Sequence, residues 1–219
     1  MTILSLSFIS PTYASSIDEE QAKKFAEQVK FVEENAIPLT GAQINETIQL
    51  VHIALENQQI VIYNQDELDF NNAMGYQFDE SQNNIKTITI PFVGNSKTDV
   101  SSLNSLTVAF NSEQNIVEYS EIKVTEGSDY VTSTVYVNGE EAGSTSIEKS
   151  TEGFQTMGYI DRVNDCMARF GVNPDTAALA ISTCGLVCTI SLGTLCLPCL
   201  GTIGAAGGGV IVGCFISEW

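Results

Sequence analysis

Cysteine is missing from the first 165 residues of this 219-residue chain, and all six cysteines lie in the last 54 residues. They are Cys166, Cys184, Cys188, Cys196, Cys199 and Cys214. Clustering of this kind indicates a local disulfide framework. Because disulfides persist outside the reducing cytosol, the framework predicts a secreted or extracellular protein.

Basic residues are scarce: the chain has 9 Lys and Arg against 27 Asp and Glu, for a formal net charge of −18. Residues 1–153 hold 23 acidic and 7 basic side chains, whereas residues 154–219 hold four and two. A surface this negative repels nucleic-acid phosphate and anionic lipid headgroups. The N-terminal region is therefore not expected to bind nucleic acid or a membrane surface.

Charge is absent altogether between Thr176 and Ser217, a stretch of 42 residues that includes eight glycines. This stretch is too apolar for an ordinary protein surface. About 20 apolar residues cross a bilayer, so it could form two crossings with a turn near Cys196–Cys199. Trp219 suits a membrane interface. Gly201, Gly204, Gly209 and Gly213 are candidates for membrane insertion or helix packing, or else they give a flexible backbone.

Groups for catalysis and cofactor binding are also scarce. The single histidine, His52, lies in an apolar run, which excludes a hydrolase triad and a histidine-based metal site. The C-terminal glycines lack the Lys-Ser/Thr of a phosphate loop. The acidic clusters lack the pattern of a calcium loop. We expect no catalytic residues, no cofactor, no metal and no enzymatic activity.

The cysteines themselves allow three readings, namely structural disulfides, a zinc site and a redox pair at Cys196-x-x-Cys199. Cys188 and Cys196 are closer in sequence than the two ligand pairs of most zinc fingers. The Cys196 pair lacks the strand-helix context of a thioredoxin-like site. Disulfides are favoured because a segment this short buries too little surface to fold unaided. If the segment is helical, Cys184 and Cys188 share one face and bridge to another helix.

The N-terminus has features of a secretory signal. A short apolar run over residues 3–9 precedes Pro11, and Thr12-Tyr13-Ala14 places small residues at the recognition positions. Residues 1–14 are the expected signal peptide, with cleavage after Ala14. Because no Lys or Arg precedes the run, a truncated signal and a buried N-terminal strand both stay open.

Periodicity divides the rest of the chain into an α+β domain and a cysteine-rich segment. Ser16 and Glu19 form a capping box for an amphipathic helix over 17–36. Residues 48–63 suggest a hairpin, although Leu50–Leu55 also fits a helix. An acidic loop spans 66–84. Strands are predicted over 85–92, 106–110, 115–124 and 130–137, followed by a tight turn at Asn138-Gly139.

These segments give an expected order of domains. An acidic β-rich domain with an N-terminal helix and an antiparallel sheet covers 15–146. Polar, weakly periodic residues over 144–165 suit a linker, with a protease processing site in 147–165. A small, apolar, disulfide-stapled and helical domain covers 166–219.

This layout resembles the immunity/bacteriocin fusion proteins with a halocin C8-like C-terminal domain. The resemblance is carried by Thr107-Val108-Ala109-Phe110, Glu118-Tyr119-Ser120-Glu121 and Tyr136-Val137-Asn138-Gly139, then by Cys184-x3-Cys188, Cys196-x2-Cys199, the glycines and Cys214. It implies an exported precursor that a processing protease cuts to release a bacteriocin, with the N-terminal part protecting the producer. Because the halocin C8 peptide has more cysteines, no disulfide pairing carries over.

The sequence therefore supports a precursor of a membrane-active antibacterial peptide. The released peptide is expected to bind a target bacterial membrane or a receptor in it, with transient membrane association. The N-terminal domain is expected to contact and restrain the peptide before release, because apolar surface needs cover in water. The alternative is a surface protein anchored by a C-terminal membrane hairpin.

Overall fold

The computed structural model describes residues 34–78, 84–94, 100–149 and 174–190, together with residues 27, 30, 162, 165, 166, 168, 169, 195 and 199. Helix α1 spans Gly41–Glu56 and helix α2 spans Pro174–Ile190. The seven strands are β1 (Ala36–Pro38), β2 (Met74–Phe78), β3 (Lys86–Pro91), β4 (Ser105–Phe110), β5 (Ile116–Glu126), β6 (Tyr130–Val137) and β7 (Glu140–Glu148). Short 3₁₀ turns occupy Phe70–Asn72 and Val100–Leu103.

The strands form one antiparallel sheet in the order β1-β2-β3-β4-β5-β6-β7, so each strand pairs with its neighbours in sequence. Strands β3 to β6 coincide with the four predicted strands. The β6–β7 turn has positive φ angles at Asn138 (51°) and Gly139 (80°), as the Asn-Gly pair predicts for a two-residue hairpin. The α+β fold class with an antiparallel sheet is confirmed.

The predicted hairpin over 48–63 is wrong and the helical alternative for Leu50–Leu55 is confirmed, because residues 41–56 form α1 and residues 61–65 belong to no strand. A capping box starts the helix: the Gln43 N–H donates to the Thr40 hydroxyl (3.4 Å), and the Thr40 N–H donates to the Gln43 side chain (2.9 Å). The helix then buries Ile48, Val51 and Ala54 on one side. This spacing is helical, although its β-branched residues favour a strand.

Two predicted irregular segments also contain strands. Strand β2 lies inside the predicted acidic loop over 66–84, where it pairs with β3. Strand β7 includes residues 144–148 of the predicted linker, and Ile147 is buried opposite Val131. Small and acidic residues conceal β7, and the acidic, Asn-rich residues around β2 conceal that strand. Both strands are specified by pairing with a neighbour more than by their own pattern.

Most of the predicted N-terminal helix and all of the predicted signal peptide lie outside the described residues. Of the predicted helix, Glu27, Lys30, Glu34 and Asn35 are described, and all four are helical. The prediction extends one residue too far, since Ala36 begins β1 and pairs with Phe78.

The sheet is apolar on both faces, and a different part of the chain covers each one. Strand β4 is buried along its whole length. Its alternate residues Leu106, Val108 and Phe110 join α1 in a cluster that we call the α1 core. Ala109 points the other way, into a cluster with α2 that we call the α2 core. The α2 core also contains Ile122, Val131, Val135, Ile147, Leu179, Ile181 and Val187.

The capping box gives a first test of the fold. We expect Thr40→Ala to lower the free energy of unfolding by about 1 kcal/mol, because the first turn of α1 loses its side-chain acceptor. Urea unfolding of the full chain measures the change. Asn45→Ala, at an exposed position inside the same helix, is the control, and a loss as large as that of Thr40→Ala would contradict the capping role.

Candidate functional site at the contact between the sheet and helix α2

Helix α2 lies against strands β6 and β7 and against the Val100–Leu103 turn. Pro174 is its first residue, a position where proline's fixed φ favours a helix and its missing N–H costs nothing. The helix carries no charge after Asp175. None of its side chains described between Thr176 and Cys188 is exposed. A helix without an exposed side requires cover from the rest of the chain.

The sheet supplies an apolar surface for this helix. Side chains alternate along each strand, so Val131 and Val135 of β6 point to the same face as Ile122 of β5 and Ile147 of β7. All four are at most 4% exposed, and they cluster with Leu179 of α2. Full burial of one such aliphatic side chain contributes about 1.5–3 kcal/mol. The contact therefore stabilises the sheet and the helix together.

A glycine lets the helix approach β7 closely. A Cβ atom on Gly143 would lie 3.0 Å from Cδ2 of Leu186. Gly143 has no positive φ, so the backbone itself would accept a side chain. The space above Gly143 is already filled by Leu186, and the close approach depends on this missing side chain.

The cysteines of this region are oxidised where the structure describes them. Cys184 of α2 forms a disulfide with Cys199, with Cα atoms 5.6 Å apart and a sequence separation of 15. Cys199 lies in a helical turn whose N–H donates to the Leu195 carbonyl. Cys166 and Cys188 also belong to disulfides. The prediction of disulfide bonding is confirmed, and Cys184 pairs with Cys199, not with Cys188.

The remaining predicted site residues lie outside the described part of the chain. They are Cys196, Cys214, Gly201, Gly204, Gly209, Gly213 and Trp219. No helix among the described residues is long and apolar enough to cross a membrane.

Four hydroxyl groups are buried where α2 meets its cover. Thr176 and Thr183 belong to the helix, Ser133 to β6 and Ser102 to the Val100–Leu103 turn. Among the described residues, these are the buried side-chain polar atoms that have no hydrogen-bond partner. An unsatisfied buried hydroxyl costs roughly 1–3 kcal/mol, so the contact is weaker than its apolar area alone would make it.

The opposite face of β5 and β6 is covered by residues 60–64, which we call the strap. The Glu121 carboxylate accepts hydrogen bonds from the backbone N–H groups of Tyr63 (2.7 Å) and Asn64 (2.5 Å). The Tyr63 hydroxyl donates to the Gly139 carbonyl (2.7 Å), and its ring stacks on Tyr136. The strap thus contacts both β5 and β6 on the face opposite α2.

Glu121 is a buried acidic group with an unusual balance of forces. Burial raises the pKa of its carboxyl above the ordinary value of 4.5. The two strap N–H groups and the Lys123 ammonium act in the opposite direction. Glu121 is buried beneath the strap and accepts hydrogen bonds from two of its N–H groups, so we assign it to holding the strap.

Among the described residues, no group of three or more His, Cys, Asp or Glu side chains is placed to hold a metal ion. His52 stacks on Phe70 with ring centroids 4.1 Å apart.

No protein-family model, curated protein or solved structure matches this chain. Of the contact between the sheet and α2, the sequence pattern predicted one side, the apolar helical segment with its cysteines. The sheet face was not predicted as the surface that receives this helix. The alternation of Val131 and Val135 predicts that face, but nothing local to β7 indicates the glycine that fits Leu186.

Gly143 gives a test of the contact. We expect Gly143→Leu to lower the free energy of unfolding by about 1–3 kcal/mol, because the new side chain competes with Leu186 for the same space. Urea unfolding of the full chain measures it. Ser144→Leu is the matched control, since the next residue of β7 points to the opposite face. Equal effects of the two substitutions would contradict close packing of α2 on Gly143.

Glu121 gives a test by pH. A carboxyl with a raised native pKa stabilises the native state fully below its unfolded pKa, and this contribution is lost as the pH rises through the native pKa. Gln does not titrate. We therefore expect the unfolding free energy of the natural chain, relative to Glu121→Gln, to fall as the pH rises from below 4.5 toward neutrality.

Urea unfolding at a series of pH values measures this difference, with Glu140→Gln at the exposed start of β7 as the control for loss of one acidic group. A difference that instead grows with pH would show that the hydrogen bonds from Tyr63 and Asn64 outweigh the effect of burial.

Proposed function

We propose that this protein is an exported precursor of a disulfide-stabilised, membrane-active antibacterial peptide, and that its sheet masks the peptide before release. The observation that carries the proposal is the burial of the uncharged helix α2 against the sheet. Leu179, Cys184 and Val187 are each at most 1% exposed. A membrane-active peptide needs cover from water before its release. Here the uncharged helix has that cover inside a strongly acidic protein.

The covalent structure supports release. Because no cysteine precedes Cys166, no disulfide can join the sheet to the cysteine-rich segment. The Cys184–Cys199 bond lies wholly within that segment. One cut in the intervening backbone would leave only noncovalent contacts between sheet and peptide, and the peptide would keep its staple.

The end of β7 narrows the proposed cleavage region. Ile147 and Glu148 pair with β6, and the Lys149 N–H donates to the Asp129 carbonyl (2.7 Å). Proteases need accessible backbone that is free of such pairing. Within the expected region of 147–165, we therefore place the cut after Lys149.

The same contact supports a role for the N-terminal domain in protecting the producer. Its α2-facing side chains, such as Ile122 and Val135, remain available for the peptide after cleavage. A membrane hairpin anchor, the other function that the uncharged stretch allows, would require α2 to leave the sheet permanently. The burial of α2 favours the masked precursor.

The test compares the intact chain with its protease-cut products. We expect the intact chain to cause no leakage from liposomes and no growth inhibition, whereas the separated C-terminal peptide causes both. Excess N-terminal fragment should suppress both effects, because it covers α2 again. Mass spectrometry of the secreted protein, with and without reduction, reports the cut and the disulfides.

Other outcomes separate the alternatives. Killing without leakage from protein-free liposomes would discard direct insertion and favour a membrane receptor. An intact protein that stays in the membrane fraction and never kills would favour the anchored surface protein.

A further inference from the structure

Among the described residues, the buried side-chain hydroxyls without a hydrogen-bond partner share one region of the fold. Thr176, Thr183, Ser133 and Ser102 all belong to α2 or to elements that contact it. Ser133 lies between Val131 and Val135 on the face that receives the helix. The lack of partners is therefore a property of α2 and its surroundings.

Paired hydroxyls occur both in the sheet and in the helix itself. Thr89 and Thr107 hydrogen-bond to each other at 3.0 Å although both are buried. The Ser182 hydroxyl donates to the Ala178 carbonyl (3.0 Å) within α2. Among the described residues, the buried sheet hydroxyls of Thr89 and Thr107 thus have partners, whereas the four buried hydroxyls without partners lie in α2 or in elements that contact it.

Separation of α2 from the sheet restores hydrogen bonds to water that docking removes. An unpaired hydroxyl in apolar surroundings has lost its hydrogen bonds to water, and it regains them when the two surfaces separate. Valine in place of Thr183 would have nearly the same shape without this cost, as would alanine in place of Ser133. The hydroxyls weaken docking and leave the shape of the contact unchanged.

We propose that these four hydroxyls make the docking of α2 reversible, so that the helix leaves the sheet once the backbone is cut. The inference rests on the proposed masking role and adds how the mask is released. Apolar contacts such as Leu179 with the sheet hold the helix in the intact chain. The hydroxyls weaken this docking enough for the helix to leave the sheet after cleavage.

The experiment is amide hydrogen exchange of α2 in the intact chain, which reports how often the helix opens. We expect Thr183→Val and Ser133→Ala each to slow exchange of the α2 amides by about 5-fold to 30-fold, because docking no longer strands a hydroxyl. Thr and Val have similar helix propensities, and Ser133 lies outside the helix. Ser182→Ala, which removes a paired hydroxyl from the same helix, should not slow exchange.

Slower exchange in either variant, with Ser182→Ala unchanged or faster, supports the inference. Unchanged or faster exchange in both variants overturns it, as does equal slowing by Ser182→Ala. Thr107→Val leaves the buried Thr89 hydroxyl without its partner and is expected to destabilise the fold. This variant shows whether hydrogen exchange detects the loss of one buried hydrogen bond. These outcomes do not depend on antibacterial activity, so a peptide that fails to kill would overturn the proposed function and leave this measurement standing.

Discussion

A sheet with two apolar faces needs cover on both, and this constraint organises the whole molecule. Many antiparallel sheets leave one face in water. Here β4 is buried throughout, with Val108 on one face and Ala109 on the other. Helix α1 and the strap, which are close to each other in the sequence, cover the first face. The second face receives α2, which comes from beyond residue 149, so the segment proposed as cargo is also part of the core.

The dependence is mutual, because α2 without the sheet would present uncharged, apolar sides to water. The parts of the chain on either side of residue 153 both carry excess negative charge. Long-range electrostatics therefore opposes their association, and salt would screen this repulsion. The hold comes from apolar burial around Val131, Val135 and Leu179. On the other side of the sheet, the strap contacts β5 through its hydrogen bonds to Glu121 and contacts β6 through the stacking of Tyr63 on Tyr136.

The sequence predicted the centre of the sheet well and its edges poorly. Strands β3 to β6 contain long β-branched or alternating runs, and Asn138-Gly139 marks their last turn. Strand β7 was not predicted because its residues are mostly small or acidic, and Ile147 is its one residue that indicates a buried face. Helix α1 was misread because β-branched residues outweighed the Thr40 and Gln43 cap. Strands β2 and β7, by contrast, depend on pairing with neighbouring strands, which a local pattern does not record.

The candidate site shows the same limit and adds a physical distinction. Clustered cysteines predict oxidation, but the pairing of Cys184 with Cys199 depends on the fold that brings their Cα atoms to 5.6 Å. Where α2 docks depends on Gly143, a residue whose contribution is the absence of a side chain. The molecule uses a covalent cross-link inside the cysteine-rich segment, whereas apart from the backbone only noncovalent contacts join that segment to the sheet. In the proposed precursor, the staple therefore persists after cleavage while docking does not. Unpaired hydroxyls are compatible with such a contact because their cost disappears when the surfaces part.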